Sequence, residues 1–182
     1  TLFEGIEHFP PATTMVIDRE GQRRTSRYWN FTPSLAETRV ISPEDAAAEV
    51  RELLVDAVRL RFRSDVPVGT CLSGGLDSSS IVAIATRVLG HAPQTFSAIY
   101  DVPGFEEREF IDEMVSELHL GGNPVEPDAS DLAEVLERSS YFQEEPTAAP
   151  GIYSQWHVMR VASQKVKVLL DGQGGDEVYG GY

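Results

Sequence analysis

The sequence predicts an α/β fold, an open parallel sheet with helices on both faces, preceded by a short β-hairpin. Three observations carry that expectation. From residue 66 onward, short apolar runs alternate with segments of helical periodicity, the pattern of parallel strands joined by right-handed crossovers. A Gly–Ser stretch, Ser73-Gly74-Gly75-Leu76-Asp77-Ser78-Ser79, stands between the first of those runs and a helix. A second Gly-rich stretch, Asp171-Gly172-Gln173-Gly174-Gly175-Asp176-Glu177, follows the last run. The chain has 182 residues, 41% of them hydrophobic and 24% charged, which is enough length and apolar content for one domain with a real core.

In chain order, residues 13–18 and 23–31 read as two strands about the turn Arg19-Glu20-Gly21-Gln22. Such a hairpin buries little surface by itself. Ser42-Pro43-Glu44-Asp45 is a helix start, with Ser as N-cap, Pro at the first helical position and acids in the first turn. Ala46, Val50, Leu53, Leu54, Ala57 and Leu60 then form one apolar stripe, and Arg59, Arg61 and Arg63 suit the negative end of the helix dipole. Residues 66–72 form the first strand of the sheet, and the helix after the Gly–Ser loop turns Ile81, Ile84, Ala85 and Val88 inward. Residues 94–100 form the second strand. The helix over 105–120 carries Phe110, Met114 and Leu118 on one face. Residues 123–126 form a short strand, and the helix over 130–140 turns Leu132, Val135 and Leu136 inward. A helix over 151–164 leads to the fourth strand, 166–170.

Fifteen basic against 29 acidic residues give a net charge of −14, which disfavours nucleic acid as a partner. Any phosphate must be held by local donors, since Lys165 and Lys167 are the only lysines. A single cysteine, Cys71, excludes an internal disulfide; in an apolar run it reads as a buried, inert thiol. His8, His91, His119 and His157 are scattered without zinc-site spacing and read as packing residues. No apolar run approaches the roughly 18 residues of a spanning helix, and no signal peptide opens at Thr1, so no membrane and a cytoplasmic location are expected.

A Gly–Ser loop before a helix N-terminus suits an anion, because the first helical N–H groups lack partners within the helix and the dipole is positive there. Gly74 and Gly75 permit close approach, and Ser73, Ser78 and Ser79 add hydroxyls. Asp77 would repel a phosphate unless a cation such as Mg²⁺ lay between them. The alternative is a plain turn in which Asp77 only caps the helix. The loop is not a Walker A motif, for it has no lysine.

SGGLDSS resembles the pyrophosphate-binding loop of the ATP pyrophosphatase (PP-loop, adenine nucleotide alpha hydrolase-like) superfamily, and the full string most resembles the asparagine synthetases. The second stretch, through Val178-Tyr179-Gly180-Gly181-Tyr182, is similar to the family's Gly-Asp-Glu-x-aromatic-Gly-Gly-Tyr signature. Asp171 stands where Ser is usual and Gln173 where an acid is usual. The resemblance implies that the first strand lies beside the fourth, so that Asp77 and Asp176 face each other across the point where strand order reverses. It implies ATP and Mg²⁺ as cofactors, with Asp77 and Asp176 as metal ligands and Ser73, Gly74, Gly75, Leu76, Asp77, Ser78 and Ser79 around the phosphates. Cys71, Leu72, Ala98, Asp171 and Gly172 match nucleotide-contacting positions. Gln173 matches a position tied to amide-bond chemistry, where an amide cannot serve as base. Glu144-Glu145-Pro146 reads as a substrate contact or as a solvated helix end.

The activity implied is ATP-dependent amide formation through an acyl-adenylate: asparagine from aspartate and glutamine-derived ammonia, with AMP and pyrophosphate released. Alternatives are a macrolactam or β-lactam type synthetase acting on another carboxylate, and a non-catalytic nucleotide-binding relative. Residues 1–40, with Phe9-Pro10-Pro11 and Arg27-Tyr28-Trp29, resemble the end of a glutaminase domain and its linker; residues 41–182 are the expected synthetase domain. A glutaminase upstream, a continuation beyond Tyr182, a possible homodimer and inactivity of residues 1–182 alone complete the expectations.

Overall fold

The computed structural model describes residues 1–30, 40–100, 102, 107–146 and 151–181. The expected end of the second strand at Phe31, most of the 31–40 linker, the helix start at 105–106 and Tyr182 lie outside them. Two compact units are present, Thr1–Ala46 and Ala47–Tyr182.

The first unit holds the expected hairpin. Strand β1 (Thr13–Ile17) pairs antiparallel with β2 (Arg23–Arg27), Met15 opposite Thr25. Asp18 closes the turn, its Oδ1 accepting the Gln22 N–H at 2.8 Å. Both strands are almost wholly exposed. Ser42 caps helix α1 (Pro43–Arg61) as expected, its Oγ accepting the Asp45 N–H at 3.1 Å.

The second unit is built on four parallel strands: β3 (Val68–Cys71), β4 (Gln94–Ala98), β5 (Gly122–Val125) and β6 (Val168–Leu170). Their order is β5-β4-β3-β6, every neighbouring pair parallel. The first strand of the sheet therefore lies beside the last, with Thr70 opposite Leu170. Helices α2 (Leu76–Ala83) and α3 (Glu107–Glu117) cover one face, where Leu72, Val82, Ile99, Ile111 and Leu118 form a core. Helix α5 (Gly151–Ala162) covers the other, where Phe96, Val158, Ala162 and Val166 pack together. Helix α4 (Leu132–Gln143) packs beside α5, and the short α6 (Gly175–Tyr179) follows β6. The end of the second Gly-rich stretch thus forms a short helix.

Several inward faces differ from those expected. On α1 the buried side chain is Val58, with Leu54 and Ala57 half-buried, whereas Leu53 and Leu60 are exposed; the apolar stripe is wider than the line of contact. After Ala83, α2 continues as a π turn (Ile84–Val88), marked by the Leu89 N–H to Ile84 carbonyl bond of 3.0 Å. The extra residue in that turn rotates Val88 into solvent and leaves Val82 and Ala85 as the buried pair. On α3 the core side chains are Ile111, Met114 and Leu118, and Phe110 is exposed because its Cβ lies over Gly74 at the helix start rather than over the sheet. Leu132 is exposed because it begins α4, one turn before the buried Val135.

Two features of the sheet are costly or tight. Thr70 and Thr95 stand opposite each other on β3 and β4, fully buried, and neither Oγ1 has a hydrogen-bond partner among the described residues. Gly69 lies under Phe96: a Cβ there would come within 2.8 Å of its ring and 3.0 Å of the Gln94 carbonyl oxygen. These two positions give opposite expectations in urea denaturation. Thr95→Val removes an unpaired buried hydroxyl at constant shape and should stabilise by about 1 kcal/mol. Gly69→Ala should destabilise by about 1–3 kcal/mol through overpacking. A destabilised Thr95→Val would mean that the hydroxyl has a partner.

Candidate functional site

The Gly–Ser loop runs from the end of β3 to the first turn of α2. Gly75 is the N-cap residue in extended conformation, with no side chain capping it. Asp77 is thus the second residue inside the helix, and a role as cap is excluded by its position. Ser78 holds the loop closed. Its Oγ, 5% exposed at residue level, accepts the Ser73 N–H at 3.1 Å, lies 3.1 Å from Ser73 Oγ and donates to the Gly75 carbonyl at 3.2 Å. That hydroxyl is engaged inside the loop, whereas Ser73 is exposed and Ser79 half-buried. Gly74 has φ +82°, and a Cβ on it would lie 3.1 Å from the Glu107 carbonyl of α3. Only glycine meets both conditions there without strain.

The parallel pairing of β3 with β6 brings the second loop against the first. A Cβ on Gly172 would lie 3.1 Å from both Asp77 Cβ and Ser78 N, and a Cβ on Gly175 would overlap the Asp77 carboxylate. Asp77 therefore reaches across the crevice onto the backbone that leads to Asp176. The Asp176 side chain itself lies against Gly181. Gln173 and Asp171 are exposed on the same loop.

The remaining residues expected in the site divide by burial. Leu72 is a core side chain, 1% exposed; its N–H donates to the Phe96 carbonyl and its carbonyl accepts from Ser97 Oγ at 2.6 Å. Ala98 is half-buried at the end of β4 and packs beside the Phe96 core. Leu76 is 83% exposed at the start of α2. Cys71 ends β3 beside Asp171, which follows β6. Burial, then the Asp171 charge and the hydrogen bond to its carboxylate, push the thiol up to about 12. It is protonated at neutral pH, in keeping with an inert thiol.

Among the described residues, no group of three or more His, Cys, Asp or Glu could hold a metal by itself. Two carboxylates on adjoining glycine loops suit Mg²⁺, which keeps water and shares phosphate oxygens instead of needing an all-protein cage. The exposed Gly75 and Ser73 at the helix mouth leave room for those phosphates.

One group of polar residues was not singled out by the sequence reading. A cleft of about 400 Å³ opens beyond the end of β5, lined by Asp128, Asp131, His157 and Arg160 among others. His157 is buried, and Asp131 accepts the Tyr153 hydroxyl at 2.6 Å. Tyr153 and His157 stand four apart on α5, a spacing that places both on one face. Nothing in the sequence shows that this face meets the start of α4. Among the described residues no helix is long and apolar enough to cross a membrane.

A family model described as asparagine synthase matches residues 49–182. The chain is similar over its whole length to asparagine synthetase 1 (glutamine-hydrolyzing) of Bacillus subtilis, at 30% identity and covering 28% of that protein. Over 84% of its length it is 35% identical to a putative asparagine synthetase (glutamine-hydrolyzing) of Mycobacterium tuberculosis, covering 24% of it. The amidase chry2 of Gibberella zeae is 26% identical over the whole chain, which covers 30% of it. The chain thus spans about a quarter to a third of the length of these relatives. In fold it is similar to the NH3-dependent NAD synthetase of Campylobacter jejuni, with TM-score 0.50 and 14% identity over 74% of this chain and 60% of that one. It is likewise similar to the U34-tRNA thiolase NcsA of Methanococcus maripaludis, with TM-score 0.51 and 17% identity over 75% of this chain and 48% of the other.

The contact between Cys71 and Asp171 has a reactivity consequence. An ordinary thiol near 9 and this one near 12 differ about a thousandfold in thiolate at pH 8. Labelling of Cys71 by a disulfide reagent should therefore be at least about a hundredfold slower in the native protein than in urea. Asp171→Asn should recover part of that difference. Because the folded state retains the proton, the stability linked to this thiol is complete below pH 9 and declines as pH rises toward 12. Equal labelling of native and unfolded protein would contradict this assignment.

Proposed function

The chain belongs to the asparagine synthase family, and from that premise we propose that it forms the nucleotide site of an ATP-dependent carbon–nitrogen ligase. In this reading a carboxylate attacks the α-phosphorus of ATP, pyrophosphate leaves, and ammonia or an amine displaces AMP from the acyl-adenylate. Aspartate is the proposed carboxylate, with ammonia supplied by a glutaminase, giving asparagine in the cytoplasm. The observation that carries the reading is the seating of the Asp77 carboxylate on Gly175, which makes one crevice of two loops 98 residues apart in sequence.

The chain's own residues have distinct tasks. Backbone N–H groups at the start of α2, with the Ser73 and Ser79 hydroxyls, hold the phosphates. Ser78 keeps the loop in shape through its three contacts, so that these donors are fixed before the nucleotide arrives. Asp77 and Asp176 would hold Mg²⁺, which when bound supplies countercharge to the departing pyrophosphate. Cys71, Ala98, Asp171 and Gly172 border the nucleotide at the carboxyl ends of their strands, and Leu72 supports them from the core.

Gln173 favours a second reading. An exposed amide stands where an acid is usual in the asparagine synthetases, and the relatives include amidases. An amide can donate and accept hydrogen bonds but cannot take a proton near neutral pH. A ligase of the same family acting on another carboxylate or amine fits this residue.

Carboxylate-dependent exchange of pyrophosphate into ATP by the full-length protein tests the reading. Asp77→Asn and Asp176→Asn should each lower exchange by at least about a hundredfold, on the order of 3 kcal/mol, while the melting temperature stays within a few degrees. The double variant should be little worse than either single one, because both remove the same ion. Multiplying effects would count against a shared metal, and unchanged exchange in either variant would remove that acid from the site.

Gln173→Glu addresses the second reading. It should alter amide formation more than adenylate formation, measured separately on full-length protein with aspartate and with other carboxylates. A proportional change in both steps would refute a role for Gln173 after adenylation.

A further inference from the structure

The cleft beyond β5 carries charges of both signs that the proposed reaction does not use. On one side stand Asp128 and Asp131. Asp128 Oδ1 accepts the Ser130 N–H at 2.9 Å and its hydroxyl at 2.6 Å, and Asp131 Oδ1 accepts the Tyr153 hydroxyl at 2.6 Å. In both, Oδ2 has no hydrogen-bond partner among the described residues. These bonds hold both carboxyls below the usual carboxylate range, Ser130 being the main cause for Asp128 and Tyr153 for Asp131. Asp131 occupies the N-cap position of α4, yet its side chain makes no capping bond. It is turned instead toward α5 and the cleft.

On the other side stands Arg160. Its guanidinium has no carboxylate partner among the described residues, in a chain with nearly twice as many acids as bases. Its side chain is hydrogen-bonded to His157 Nδ1, at 3.2 Å. A guanidinium only donates, so Nδ1 is the acceptor and the proton of the neutral ring sits on Nε2. His157 is 6% exposed and borders the cleft. Its Nε2 lies 3.2 Å from Asp131 Oδ1, a charge contact outside hydrogen-bond geometry, and the atom has no hydrogen-bond partner among the described residues. A buried N–H without an aligned acceptor is unfavourable, and a ligand group that accepts from it removes the cost.

The spacing of these charges selects a ligand. Arg160 and Asp131 approach the two nitrogens of one ring, which places guanidinium and carboxylate within about 9 Å of each other. An α-amino acid making one charge-assisted hydrogen bond of about 2.8 Å at each end spans a similar distance. The volume of about 400 Å³ is in the range of small-ligand sites, and Val125 and Pro127 add apolar surface for a side chain. We propose that this cleft binds a free α-amino acid, its ammonium between Asp128 and Asp131 and its carboxylate on Arg160 and the His157 N–H. The site lies at the end of β5, two strands from β3 and its Gly–Ser loop. Binding there requires no nucleotide.

Calorimetric titration of the full-length protein, without ATP or Mg²⁺, tests this with glycine and L-aspartate as zwitterions. Succinate, methylamine and inorganic phosphate serve as single-charge probes. Either or both zwitterions should bind, and each single-charge probe at least about tenfold more weakly. Arg160→Gln and Asp128→Asn, both at exposed positions and checked for fold by circular dichroism, should each weaken zwitterion binding at least about tenfold. Asp77→Asn should leave it within about twofold, so that failure of the nucleotide reading and failure of this one are told apart. Four outcomes would overturn the proposal: no zwitterion binding at 20 mM ligand on the order of the weakest useful affinity, succinate or phosphate binding as tightly, affinity unmoved in Arg160→Gln, or affinity lost in Asp77→Asn.

Discussion

The pairing of β3 with β6 is the constraint on which the site depends. Each glycine loop alone is a turn with an acid near its end. Parallel pairing of the first strand with the fourth puts both at the carboxyl edge of one sheet, where strand order reverses and a crevice is left open. The loops are then so close that a Cβ on Gly172 would press on Asp77 Cβ and Ser78 N at 3.1 Å, and one on Gly175 would displace the Asp77 carboxylate, quite apart from any ligand. The same closeness sets the direction of the Asp77 side chain, because the helix N-terminus that carries it is fixed from below by Val82 in the core and from within by Ser78.

Both faces of the sheet contribute to that rigidity. Leu72 and Val82 tie the loop's flanks to the α2–α3 core, and Gly69 lets Phe96 lie close under β3 on the other face. A phosphate-binding loop needs such support, since donors that are already in place cost no reorganisation when charge develops. The loop's strain is confined to Gly74, where φ is positive and α3 passes overhead.

The parallel sheet, the hairpin and the start of α1 were legible in the sequence because each has a local cause: alternating periodicity, a turn between two strand-like runs, and Ser42 with Pro43. The order of the strands, first beside fourth, came from the resemblance of the Gly–Ser loop to a known family, not from any local pattern. The faces of helices were less legible. Val88 was placed inward by a 3.6-residue period, which the π turn at Ile84–Val88 breaks. The spacing puts Phe110 on one face with Met114 and Leu118, but it sits over a glycine whose lack of side chain offers less contact than the sheet. The Asp131–His157–Arg160 group was not legible at all. It depends on how the start of α4 meets α5, which is a tertiary contact between segments whose separate patterns are those of ordinary amphipathic helices. Asp131 even has the residue type and position of a helix cap and does not act as one.

The pairing of β3 with β6 also sets a clock on synthesis. Asp77 leaves the ribosome long before Gly175, and at about 5–20 residues per second the interval is of order 5–20 s. During that time β4 and β5 can add to one edge of β3, while its other edge waits with unpaired backbone groups. Crevice and sheet edge are therefore completed by the same late event, and a nascent chain passes through a period in which it has a formed Gly–Ser loop, an open strand edge and no second loop to close either.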